Sequence, residues 1–135
     1  MLLAINSTYV INPTLNDRLN YNFIRDIAPV ASIDREPLVM VVHPSVPAKT
    51  VPEFVNYATA NTGKINMASG GIGAISHVAG ELFNVMTRIN MIHVPYRGGV
   101  APAIIDLFGG QGDARCCFQK CPHGMGAFAM HLSAR

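Results

Sequence analysis

Met67-Ala68-Ser69-Gly70-Gly71-Ile72-Gly73-Ala74-Ile75-Ser76-His77-Val78-Ala79-Gly80-Glu81-Leu82-Phe83 carries a strand, a glycine turn and a helix in direct succession. Lys64 to Met67 reads as a short strand, Ala68 to Gly73 as a glycine-rich turn. Ser76 to Met86 reads as a helix, with Val78, Ala79, Leu82 and Met86 recurring at its 3.6-residue period. A second unit of the same kind follows. Met91 to Val94 is a strand, Pro95-Tyr96-Arg97-Gly98-Gly99 a loop, and a helix with Pro102 in its first turn runs to about Phe108, where Gly109 and Gly110 stop it. Successive strand–loop–helix units make an α/β layer architecture. Open sheets of this class bind ligands beyond the carboxyl ends of their strands, where both glycine-containing loops fall.

Upstream, Thr50-Val51-Pro52-Glu53 is a capping box: the Thr50 hydroxyl accepts from the Glu53 amide, and Glu53 reaches back to the cap amide. Phe54, Val55 and Ala58 give that helix an apolar face, and Gly63 suits its end. Leu38 to His43, bounded by Pro37 and Pro44, and Pro29 to Ile33 are β-branched runs of strand character. Leu2 to Ile5 is a shorter apolar run. No internal repeat is visible.

Composition narrows the function classes. Of 135 residues, 50% are hydrophobic and 13% charged, which suits one packed domain rather than a disordered polar chain. The net charge is +2 and the basic residues are scattered, so nothing tracks a nucleic-acid backbone. No stretch approaches the ~20 apolar residues of a membrane span. Met1 to Ile5 is too short for a signal peptide and no basic residue precedes it.

The Ser69 to Ser76 loop opens a helix, where free amides and the positive end of the helix dipole favour an anion. Ser69 and Ser76 add hydroxyls, and Gly70, Gly71 and Gly73 let a ligand approach the backbone. The same residues also make a plain tight turn with Ser76 as the helix N-cap. Gly71-Ile72-Gly73-Ala74-Ile75-Ser76 only half resembles a dinucleotide fingerprint, and no Asp or Glu lies between Leu82 and Ile105 to hold a ribose. No Gly-Lys-Ser/Thr loop occurs, so no nucleotide cofactor is implied. In the second loop Arg97 can pair with a carboxylate or be a solvated surface charge, and Tyr96 can border the same cleft or simply pack.

Catalytic signals are poor. Ser76 and His77 are adjacent and diverge on a helix, no nucleophile elbow exists, and the His77/Glu81 pair is too small a set for a metal. Cys116, Cys117, Cys121 and His123 include zinc-ligand types, but the vicinal cysteines and missing second knuckle argue against a metal site.

Several ordered segments resemble the substrate-binding receptors of tripartite tricarboxylate transporters, the Bug family. They are Arg25-Asp26-Ile27-Ala28-Pro29-Val30, Pro44 through Val51, Met67 through Gly73 with Ser76 through Phe83, and His93-Val94-Pro95-Tyr96-Arg97-Gly98-Gly99 on through Asp106-Leu107 to Gly109-Gly110-Gln111. Asn6-Ser7 with Ile11-Asn12-Pro13 extends the likeness towards Met1. The resemblance implies a type II periplasmic-binding-protein fold that closes two lobes over a small carboxylate-bearing solute and hands it to a membrane permease, with no chemistry done on it. It places Ser69, Gly70, Gly71, Gly73 and Ser76 at the carboxylate, with Tyr96 and Arg97 bordering the cleft, and it implies a periplasmic location, with the cytoplasm as the alternative expectation for this fragment because no export signal is read at Met1 to Ile5.

The resemblance also sets boundaries. Residues 1–25 correspond to the end of the first lobe and the crossover, 26–111 to the second lobe, and 112–135 to an atypical tail. Shifting the frame by one base from Gly112 to His123 permits a family-like strand and turn, so a frameshifted tail without selected structure is expected. A lobe lacking its last strand would expose a sheet edge and self-associate. The alternatives are an inactive truncated product of the same family and a small α/β enzyme using Arg97 with His77 or His93 on an anionic substrate.

Overall fold

The computed structural model describes residues 11–28, 30–31, 37–109, 114–120 and 130–131. The chain divides into two units, Met1–Arg35 and Glu36–Arg135. The first contains two single-turn helices, α1 (Asn12–Leu15) and α2 (Phe23–Asp26). Asn22 caps α2, its side chain accepting from the Ile24 and Arg25 amides, each at 3.1 Å. The apolar run Leu2 to Ile5 and most of Pro29 to Ile33 lie outside the described residues.

The second unit carries β1 (Leu38–Val42), α3 (Val51–Ala60), β2 (Asn66–Ser69), α4 (Ile75–Thr87), β3 (Ile92–Pro95), α5 (Val100–Gly109), β4 (Ala114–Lys120) and β5 (Met130–His131). The strands form one mixed sheet in the order β3-β2-β4-β1-β5. β2 runs parallel to β3 and to β4, while β1 is antiparallel to β4 and β5. The α/β expectation holds, with an antiparallel half that the strand–helix alternation does not announce.

Side-chain alternation along the strands sets the layers. Met40, Met67, Cys116 and Phe118 point to one face, where they bury Phe54 and Ala58 of α3 and Phe83 of α4. Phe83 lies between Phe54 and Phe118, with ring centroids 6.2 and 5.8 Å away. The intervening residues Val41, Ala68 and Cys117 point to the other face, against Ala103 and Leu107 of α5. Helices therefore cover both faces, as a parallel sheet segment requires.

The α3 start follows the capping box in part. Thr50 Oγ1 accepts from the Glu53 amide at 3.4 Å, but Glu53 reaches one residue further back, to the Lys49 amide at 2.8 Å. That bond holds the Glu53 carboxyl below its usual range.

The apolar face expected for α4 is not the one buried. Ser76, Gly80, Phe83 and Asn84 face the core, whereas of the expected face Val78, Leu82 and Met86 are exposed and Ala79 alone packs against the core. Two local bonds and one close approach turn the helix this way. Asn84 bonds the Met91 amide and carbonyl at 3.2 and 3.4 Å, satisfying the chain just before β3. Gly80 lies against Met67, so near that a Cβ there would sit 1.7 Å from the sulfur.

The expected end of the lobe at Gln111 does not coincide with the edge of the sheet. Residues 114–120 form β4, the middle strand, paired on both sides, and Cys116, Cys117 and Phe118 are buried. A tail without structure is therefore not what these seven positions show. Cys121 and His123 lie outside the described residues. Cys116 and Cys117 are free thiols on opposite faces of the sheet, so they cannot ligate one ion together. Burial pushes Cys117 up to about 11 and Cys116 higher still.

Candidate functional site

Because β2 and β3 are parallel neighbours, the β2–α4 turn and the β3–α5 loop leave the same end of the sheet. The Tyr96 amide donates to the Ser69 carbonyl at 2.9 Å, fastening the second loop to the first. The loops also touch at Gly70, where a Cβ would lie 3.0 Å from Val100 Cγ2 and 3.4 Å from the Gly99 carbonyl carbon. A side chain at position 70 would push Val100 aside by a few tenths of an ångström, and glycine is favoured at Gly71 (φ 124°) and Gly73 (φ 78°) by backbone conformation.

The turn is held by its own side chains. Ser69 Oγ, fully buried at the end of β2, accepts from the Gly71 amide at 3.1 Å and lies 3.2 Å from the Gly71 carbonyl. Ser76 Oγ, buried in the first turn of α4, accepts from the Gly70 amide at 3.2 Å. His77 Nδ1 accepts from the Gly73 amide at 3.2 Å, and the Ala74 amide donates to the Gly71 carbonyl. Two expectations are corrected here. The amides of Gly70, Gly71 and Gly73 are not free, because three polar side chains close enough to bond them do so. Ser76 is not the N-cap; Ala74 holds that position without a side-chain cap, since Ser76 Oγ is turned back to Gly70.

What remains open is the start of α4. The amides of Ile75, Ser76 and His77 have no acceptor among the described residues. A helix of 13 residues thus presents its positive end with unsatisfied donors beside a rigid turn, an arrangement that suits one carboxylate.

Two histidines that sequence reasoning did not place in the site stand beneath it. His93 Nε2 is 2.5 Å from Ser69 Oγ, and its ring stacks on His77 with centroids 3.9 Å apart and planes 23° from parallel. Glu81 Oε1 lies 3.9 Å from His77 Nε2. Burial, then the neighbouring His77, lowers the His93 pKa below the ordinary histidine value. The pairing of Met67 with His93 across the parallel strands puts His93 on the same sheet face as Ser69, two residues past Met67, and that register is not written in the sequence. The Ser69–His93 contact is not a nucleophile and base, because Ser69 is wholly buried and its hydroxyl is already bonded within the turn.

Tyr96 is half-buried, packs against the α5 side of the sheet, and donates from its hydroxyl to Asp106. With Pro102, Ile105, Asp106 and Gly109 it lines an open depression of about 570 Å³ along α5. Arg97 is exposed.

A family model described as the tripartite tricarboxylate transporter family receptor (TctC) matches residues 1–120, running through β4. The chain belongs to this receptor family. Among curated relatives, a UPF0065 protein of Bordetella pertussis is 33% identical over 98 residues, covering 73% of this chain and 30% of the relative. A solved periplasmic transporter superposes with a TM-score of 0.76 at 34% identity, over 87% of this chain and 38% of that one. MatC from Rhodopseudomonas palustris, solved with bound malate, gives 0.70 at 26% identity, over 84% and 38%. The chain therefore spans about a third of the length of the receptors it matches, and its mixed sheet is part of the periplasmic-binding-protein fold that the resemblance implied.

Proposed function

We propose that this chain is the ligand-gripping part of a solute-binding receptor, in which the start of α4 holds one carboxylate of a small solute. The observation that carries the reading is the start of α4, whose first three amides have no acceptor among the described residues and stand beside a turn that Ser69 and Ser76 hold in place. Malate, bound by the related MatC, is a solute of the right chemistry. Residues 26–111, together with β4, act in this reading as the second lobe, and a first lobe closes over the solute's far end. The receptor works outside the cytoplasmic membrane and passes the solute to the permease subunits of its transporter. It does no chemistry, which agrees with a buried Ser69 hydroxyl that no substrate reaches. Tyr96 and Arg97 border the same cleft in this reading, Tyr96 anchored by Asp106 and Arg97 placed to meet solute charge.

Amide-resolved NMR of the chain with millimolar malate tests the reading. The expected result is saturable shifts at Ile75, Ser76 and His77, abolished by Gly71→Val. Shifts absent from the α4 start, or identical with an uncharged diol in place of malate, would overturn it.

A further inference from the structure

We propose that His77 is a positioning residue that latches the glycine turn, and that a proton taken up on its Nδ1 releases the latch and favours solute capture. The inference rests on the receptor reading above and concerns the same site.

Nδ1 of His77 accepts from the Gly73 amide, so in the neutral ring the proton sits on Nε2, which faces Glu81. A second proton has one place to go, which is Nδ1. Two N–H donors then point at each other, so protonation and the Gly73 bond exclude one another. Release frees the Gly73 amide as a further donor and puts a positive charge in the first turn of α4. Both changes favour an anion there.

The titratable groups facing His77 are His93, on β3, and Glu81, one turn further along α4. The stacked rings are too close for both to be charged at little cost. His93 Nε2 is held at the buried Ser69 hydroxyl, whereas His77 Nε2 faces Glu81 at 3.9 Å and its Nδ1 gives up only the Gly73 bond, so the proton shared by the pair goes to His77. By linkage, a solute that prefers the protonated form raises that proton's occupancy and binds more tightly as pH falls.

The first measurement needs no solute. Between about pH 8 and pH 5.5, the range in which imidazoles titrate, the Gly73 amide shift in the whole chain follows the same curve as the His77 ring. In His77→Asn the side-chain oxygen takes the place of Nδ1 and cannot titrate, so the fold and the latch persist and the Gly73 shift stays flat. A Gly73 amide that ignores His77 titration in the parent chain, or still moves in His77→Asn, overturns the latch. The second measurement is malate affinity between about pH 8 and pH 6. It tightens as pH falls, by up to about tenfold per pH unit, and in His77→Asn, where the affinity itself changes because His77 helps hold the turn, it no longer depends on pH. A flat or opposite slope in the parent chain, or a slope lost in His93→Asn but kept in His77→Asn, overturns the coupling. No malate binding at any pH would remove the receptor reading, and the Gly73 titration would still decide the latch.

Discussion

Replacing Gly80 with alanine adds one methyl group where α4 crosses β2. The new Cβ would lie 1.7 Å from Met67 Sδ, 2.5 Å from its Cε and 3.3 Å from its Cγ. Real Cβ atoms do not come so close, so something has to move. Met67 is a flexible side chain, but it is fully buried in the same cluster as Phe54, Phe83 and Cys116, and close-packed interiors hold few voids for its sulfur to enter. Overpacking of this kind costs about 1–3 kcal/mol, and so severe an overlap belongs at the top of that range. Alanine returns about 1 kcal/mol through its better helix propensity. The net loss is about 2 kcal/mol, or about 8 °C or more in Tm for a unit of this size. Urea unfolding followed by circular dichroism reads the change as a lower midpoint at unchanged slope. The Met67→Ala background supplies the control, because there the same Gly80→Ala change should stabilise by roughly its propensity alone. A Gly80→Ala chain as stable as the parent, or more so, would refute the claim that α4 seats on β2 through this contact.

Asn84→Ala removes both bonds to the Met91 backbone and leaves a buried N–H and C=O unpaired, so a loss of about 2–3 kcal/mol is expected from urea midpoints. Since the folded pKa of His93 lies below its unfolded value, the unfolded chain binds more protons in acid; stability is full above about pH 6.5 and falls as pH drops through the folded pKa. In His93→Gln the slope of stability against pH should shrink, as read by melts at stepped pH. Iodoacetamide followed by peptide mapping should leave Cys116 and Cys117 unmodified in the folded chain and label both in urea, because only the thiolate reacts and burial suppresses it.

Local chemistry made much of this molecule legible before any coordinates. The Thr50 cap, the Gly63 bend (φ 72°) and Pro102 in the first turn of α5 report directly on backbone constraints, and all three lie where expected. The α4 face was misread because periodicity weighs apolar side chains, whereas the packing was decided by the absence of a side chain at Gly80 and by two hydrogen bonds from Asn84. β4 was hidden for a different reason. Ala114-Arg115-Cys116-Cys117-Phe118-Gln119-Lys120 has little of the β-branched character of a central strand, yet in the middle of a sheet its backbone pairs on both sides.

Sequence alone determined that a glycine turn joins a strand to a helix and that a second such unit follows, because turn and cap residues act on the chain within a few positions of themselves. It also carried the family resemblance. Only tertiary structure decided what the turn does with its donors. Ser69 meets His93 24 residues away and the loops meet at Gly70 and Val100 through strand pairing that brings distant residues to one sheet edge, while the Gly73 amide meets His77 four residues on because of the way the turn enters α4. Whether an amide is free depends on every acceptor within about 3 Å of it, and a linear chain does not contain that information.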